Sequence, residues 1–278
     1  MGHVPPSPCV RRVALIILFP CDTLQVNNPL PKTVAVANQK GGVGKTNLAG
    51  NLAAELAARG HSVVLVDLDP QATLTTWLCG RLDAVGTAEV LLGEAKVADA
   101  LLEVPAFGLR LLASVPDRMR VAERTLAADL GSERILARSL RGVAGIVVCD
   151  CPPSMGILTA SALLAASAVI VPTTATFEGL DGLAQFRTNL AKLCARYDLA
   201  VPMHVVATSY NARLALSHEA REAIGQLAGA AATTTVIREN VALREAIGHR
   251  QPIRTYRPGS TGAADYAALA TEIFDHAS

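Results

Sequence analysis

No C-x-x-C pair occurs among the six cysteines of this chain, at positions 9, 21, 79, 149, 151 and 194. Their scatter fits neither a zinc ribbon nor a disulfide framework, so reduced thiols of the cytosolic kind are the expectation. Charge of one sign is also missing. Against 25 Lys and Arg stand 24 Asp and Glu, a net of +1, so no whole-molecule field draws the chain to nucleic acid and any basic surface is a local patch. An apolar run near the start, VALIILF (13–19), falls short of the roughly 20 residues that cross a bilayer. Pro20 closes it where a secretory signal would carry small residues for cleavage, and no stable membrane insertion is expected.

What is present is enough apolar residue for a large core. With 278 residues, 51% of them hydrophobic and 18% charged, the chain suits one large α/β domain or at most two small ones with a well-buried core, and a disordered chain is not expected. Residues 1–31 differ from the rest, with prolines at 5, 6, 8, 20, 29 and 31. They read as a poorly structured tail or as a start assigned too far upstream, with a membrane anchor as the sharper alternative; the folded domain is expected over 32–278. There, β-branched runs alternate with Ala/Leu-rich segments of helical period. The runs are TVAVAN (33–38), SVVLVDLD (62–69), LRLLAS (109–114), GIVVCD (145–150), AVIVPT (168–173), MHVVATS (203–209) and TTTVI (233–237). This alternation predicts an α/β fold: a single, mainly parallel twisted sheet with helices on both faces. Ligands of such sheets bind beyond the carboxyl ends of the strands.

Three strand ends carry chemistry. After the first comes NQKGGVGKTN (38–47), close to the phosphate-loop pattern G-x-x-x-x-G-K-[ST] but with Gln39 in place of its first glycine and an additional lysine, Lys40. Gly41, Gly42 and Gly44 let backbone N–H groups close around phosphate oxygens, with Val43 between them and a helix N-terminus behind. Lys45 is placed to reach the β/γ-phosphates and Thr46 to offer its hydroxyl to Mg²⁺. After the second run, Asp67 and Asp69 alternate before Pro70. Period-two geometry is expected to send both carboxylates toward the phosphate site. After the fourth, Asp150 precedes a Pro152-Pro153 turn, where nucleotide hydrolases place an acid of the Mg²⁺ shell.

Taken together, KGGVGKT (40–46), VDLDPQA (66–72) and DCPPSMG (150–156) resemble the ParA/Soj/MinD family of deviant Walker A ATPases. The resemblance runs on through TSYNARLALS (208–217), TVIRENVALREAIGHRQPI (235–253) and STGAADYAALATEIF (260–274), and so covers nearly everything after Lys32. It implies a P-loop fold and slow, Mg²⁺-dependent ATP hydrolysis. It also implies a homodimer in the ATP state, with Lys40 crossing to the partner's nucleotide. The catalytic residues it implies are Lys40, Lys45 and Asp69, the last positioning the attacking water. Residues 40–47 are the expected nucleotide contacts, and Thr46, Asp67 and Asp150 lie in or near the metal shell. The family usually has a second threonine where this chain has Asn47, whose amide can still donate to an α-phosphate oxygen.

The cargo is less determined. A MinD-like membrane helix would be basic, whereas YAALATEIFDHAS carries Glu272 and Asp275 and no Lys or Arg follows Arg257. A cluster-carrying relative would present exposed cysteines, a setting that Cys149 in its strand lacks. A ParA-like partition ATPase remains: cytoplasmic and nucleoid-associated, binding double-stranded DNA without sequence preference, and stimulated by a ParB-like partner. About 30 residues before the first strand are too few for a helix-turn-helix repressor domain. Phosphate contacts are expected from Arg213, Arg238 and Arg244; Soj-like relatives read closer to IPRNVRL, with arginines where this chain has Glu239 and Ala242. A MinD-like or ParA-like ATPase that positions a protein assembly or tracks a membrane surface is the alternative.

Overall fold

Seven strands form one sheet in the order β3-β4-β2-β5-β1-β6-β7, in a computed structural model that describes residues 32–275. The reading of 1–31 as a tail falls outside the described residues. The strands are β1 (Thr33–Val36), β2 (Val63–Asp67), β3 (Leu101–Val104), β4 (Leu109–Leu112), β5 (Ile146–Asp150), β6 (Ala168–Thr174) and β7 (Met203–Thr208). All pairs are parallel except β3 with β4. Strands β2 and β5 are buried along their whole length, which is why they read as continuous apolar runs.

Among the described residues twelve α-helices accompany the sheet: α1 (Lys45–Ala58), α2 (Thr73–Cys79), α3 (Thr87–Leu92), α4 (Val97–Ala100), α5 (Pro116–Ala128), α6 (Ile135–Ser139), α7 (Ile157–Ala165), α8 (Phe177–Tyr197), α9 (Ala215–Ala228), α10 (Val241–Gly248), α11 (Ile253–Tyr256) and α12 (Thr261–Ala270). Alternation along the strands divides the core in two. Val34, Val36 and Leu65 pack with residues of α1, α2 and α10 to α12, while Ala35, Val64 and Val66 pack with residues of α3 to α9, as a period of two requires. Helix α1 is almost wholly buried, with Trp77 of α2 seated over Gly50, where an added Cβ would come within 2.3 Å of the indole ring.

The α/β expectation holds, with two corrections. TTTVI (233–237) is not a strand. Thr233 N–H and Ile237 N–H do reach the β7 carbonyls of Val205 and Ala207, but the Glu272 carboxylate accepts from Thr234 and Thr235 N–H at 2.6 and 2.8 Å. Those amides are lost to any ladder, and only isolated bridges remain. Conversely, Leu101–Val104 pairs antiparallel to β4 as a short edge strand. Its first three residues are only partly buried or exposed, so it lacks the apolar run that marks the inner strands.

Candidate nucleotide site

The loop between β1 and α1 is anchored at both sides and open in front. Buried Asn38 donates to the Pro172 carbonyl at 2.8 Å and accepts from Lys40 N–H at 3.0 Å. Thr208, at the end of β7, donates to the Val43 carbonyl at 2.9 Å. Gly42 and Gly44 have φ of 76° and 91°, a region that side chains other than glycine avoid. A Cβ at Gly41, Gly42 or Gly44 would meet no protein atom within 4 Å, which leaves free space before the loop. Helix α1 begins there with Gly44 as N-cap and no side-chain cap, so its first-turn amides face an anion-sized opening.

Lys45 is nearly buried, at 7% exposure, and its Nζ donates to the Lys40 carbonyl at 3.0 Å. Burial pulls its pKa down, with Asp150, Cys151 and Asp69 pulling it back up. A half-desolvated ammonium aimed at its own loop is poised for a ligand that brings negative charge.

Asp67 and Asp150 are opposite one another in the β2–β5 register, and both are fully buried. Their surroundings differ. Asp67 Oδ2 accepts from Thr75 N–H and Oγ1 at 2.9 and 2.7 Å, and Oδ1 accepts from Asp69 N–H at 3.1 Å. Desolvation still raises its pKa to about 6, against these bonds. Among the described residues neither carboxylate oxygen of Asp150 has a hydrogen-bond partner. Desolvation and then the Asp67 charge push its pKa well above the carboxylate range; the nearby Thr46 hydroxyl and Lys45 ammonium oppose this without a well-formed bond to the carboxylate. Asp69 is half-buried beyond the strand. Its Oδ1 caps Gln71 N–H at 2.9 Å and its carbonyl accepts from Ser114 Oγ at 2.8 Å. The two carboxylates of the second strand end thus diverge, Asp67 inward to Thr75 and Asp69 to its own loop.

The match to known proteins agrees with this geometry. A family model described as an AAA domain matches residues 31–201. The chromosome partitioning protein ParA of Caulobacter vibrioides is 36% identical over 256 residues, 88% of this chain and 94% of that one. The sporulation initiation inhibitor protein Soj of Bacillus subtilis is 35% identical over 250 residues, 87% and 98% of the two chains. The chain belongs to the ParA/MinD superfamily of P-loop ATPases. A solved structure titled cobyrinic acid a,c-diamide synthase from Mycobacterium smegmatis, with bound ATP analog and magnesium, is 31% identical with a TM-score of 0.72, covering 86% of this chain and 92% of that one.

For a ParA/MinD-superfamily ATPase the residues fit the expected ligands. Open space before three glycines fits phosphate, and the unpartnered Asp150 carboxylate beside Thr46 fits a hard cation. Among the described residues no cluster of three or more Asp, Glu, His or Cys forms a metal cage, and Mg²⁺ needs none, since it binds through one or two carboxylates and substrate phosphates.

The structure separates the remaining predicted residues. The Lys40 side chain lies along α8, where a Cβ at Gly182 would touch its Cβ at 3.2 Å and its Cδ at 3.4 Å, and its charge acts on Glu178 of that helix. Asn47 Oδ1 accepts from Asn51 Nδ2 at 2.9 Å and from Tyr266 OH at 2.7 Å, which turns the amide NH₂ away from them. Arg238 is held by Asp265 through its Nε, its terminal nitrogen and its backbone N–H, so its charge is already compensated. Arg213 and Arg244 are exposed and have no ion pair among the described residues. Asn38, Thr75, Ser114 and Tyr266 support the site and were not foreseen. A polar residue ending an apolar run marks Asn38 in retrospect; the others come from distant segments and carry no local signal.

Proposed function

We propose that the chain is a ParA-type ATPase that closes into a sandwich dimer around ATP, holds DNA without sequence preference, and drives chromosome or plasmid partitioning with a ParB-like partner that stimulates hydrolysis. One observation carries this reading: the loop contains two lysines with different placements. Lys45 bonds its own loop, while the Lys40 side chain packs along α8; that different placement supports a role for Lys40 toward a second subunit. Two nucleotides facing one another repel unless each receives a cation from across the interface. A charge supplied only on closure makes dimerisation and hydrolysis interdependent.

Within each subunit, the glycine loop and α1 amides bind the phosphates and Lys45 compensates the β/γ charge. Thr46 and Asp150 would hold Mg²⁺, which would supply positive charge against the phosphates. Asp67 anchors the 67–75 loop that presents Asp69, and Asp69 orients the attacking water. Turnover is slow because the site is complete only in the dimer. Lys40→Ala should retain most nucleotide affinity yet fail to dimerise. Light scattering with a non-hydrolysable ATP analogue reads this directly, and a dimer of unchanged stability would remove the intersubunit role.

A second reading, a positioning ATPase that acts on a protein assembly or membrane surface, is favoured by one feature. Leu214, Leu216 and Val241 are 54, 63 and 59% exposed beside Arg213 and Arg244, on segments joined by Asn211 Nδ2 to Glu239 Oε2 at 3.2 Å. Exposed apolar side chains among cations suit a protein or membrane surface better than a row of phosphates.

A further inference from the structure

Away from the phosphate loop, toward the amino ends of β4 and β5, a cleft of about 600 Å³ opens on the face covered by α3 to α9. Lys96, Arg110 and Arg141 line it from three separate elements, with Ser139 between them and Val97 and Val143 as apolar wall. No acid lines it. Glu94, Asp99 and Glu103 are exposed nearby in the chain. Glu103 is even opposite Arg110 in the β3–β4 register, but none of these acids forms an ion pair with the three cations among the described residues.

Arg59, Arg118, Arg120, Arg238, Arg254 and Arg257 each stand within 4.0 Å of a carboxylate; other arginines, Arg213 and Arg244 among them, are unpaired among the described residues as these three cations are, but the three here converge on one cleft. Arg110 is half-buried, and among the described residues its guanidinium donates only to Ser62 Oγ, at 3.0 Å. Three like charges around one concavity raise its potential additively, and a half-desolvated guanidinium without a counter-ion is costly until an anion arrives. The volume lies in the range of small-molecule sites, about 300–1,000 Å³. A concave site of that size suits a small anion; a duplex presents its phosphates on a convex surface.

We propose that this cleft is a second binding site, independent of the ATP site, for a small phosphate-bearing molecule. Arg110 and Arg141 would grip the phosphate through their planar forks, Lys96 would add a point charge, and the valine wall would cover the uncharged part. The test uses the full chain saturated with ADP and Mg²⁺, so that the phosphate loop is filled, and titrates inorganic pyrophosphate by calorimetry. Saturable binding at one site is expected, weakened tenfold or more in Arg110→Gln and in Arg141→Gln. Arg141→Gln and Lys96→Gln change exposed side chains, so a folding defect in Arg110→Gln leaves the test intact. Arg120→Gln, a surface cation elsewhere, should change nothing. Absence of saturable binding overturns the proposal. So do equal losses in Arg120→Gln, loss in Lys45→Ala without ADP dependence, or binding of a polyglutamate peptide where pyrophosphate fails.

Discussion

Asp150 is the residue whose environment is least satisfied without a ligand: buried, beside a second carboxylate, and lacking a hydrogen bond at either oxygen. Replacing it by Asn removes a buried carboxyl whose ionisation is opposed by desolvation and by Asp67 and would be favoured only by a cation. Asp150→Asn should therefore raise the ligand-free melting temperature at neutral pH by a few degrees, at about 2–4 °C per kcal/mol for a chain of this size. The same variant should lose the further stabilisation that Mg²⁺ with ADP confers on the wild type. Differential scanning fluorimetry with and without Mg²⁺·ADP checks both halves; a variant that melts lower in every condition would mean that Asp150 is structural. Asp69→Ala is expected to behave otherwise, because Asp69 is half-exposed and its carboxylate is bonded only within its own loop. It should bind ATP with little change and turn over at least about tenfold more slowly, as loss of water positioning dictates. Single-turnover phosphate release measures it, and a wild-type rate would move the role elsewhere.

At the scale of elements, β7 is the edge strand next to the segment that the apolar pattern TTTVI presented as a strand. His204 on β7 is half-buried, and burial lowers its pKa, with the Glu272 charge opposing. A folded-state pKa below the ordinary His value of about 6.5 means that the unfolded chain binds more protons as pH falls through that value. Stability is then present above about pH 6.5 and is lost on acidification. His204→Gln should flatten the decline in stability between about pH 6.5 and 5; urea midpoints across that range test it, and an unchanged slope would sink the assignment. The same neighbourhood explains why the strand was misread. Composition makes Thr233–Ile237 β-like, but a carboxylate 35 or more residues away in sequence takes two of its amides. Leu101–Val104 failed to stand out for the opposite reason: an edge strand needs little apolar burial.

For the whole molecule, the proposed DNA surface depends on which cations are free once folding has used the others. Arg213 and Arg244 are exposed and have no ion pair among the described residues, whereas Arg238 is committed to Asp265. Binding to unrelated duplexes should be similar, should require ATP, and should weaken with salt at a log–log slope of about −0.9 per neutralised phosphate. Arg213→Glu or Arg244→Glu should flatten that slope for every sequence, and Arg238→Glu should mainly destabilise the fold. Anisotropy on two scrambled duplexes with ATP and with ADP decides it; no binding in ATP at low salt would favour the positioning reading. The nucleotide loop, the strand-end acids and the parallel sheet were legible in the sequence itself, because phosphate cradles and buried strands are local patterns of a few consecutive residues. Only the tertiary structure decided that Asp67 is saturated by Thr75 while Asp150 is bare, that Asn47 is oriented by Tyr266, and which arginines keep their charge. Those outcomes depend on which distant side chains arrive within hydrogen-bonding range, a quantity set by packing that spacing along the chain does not encode.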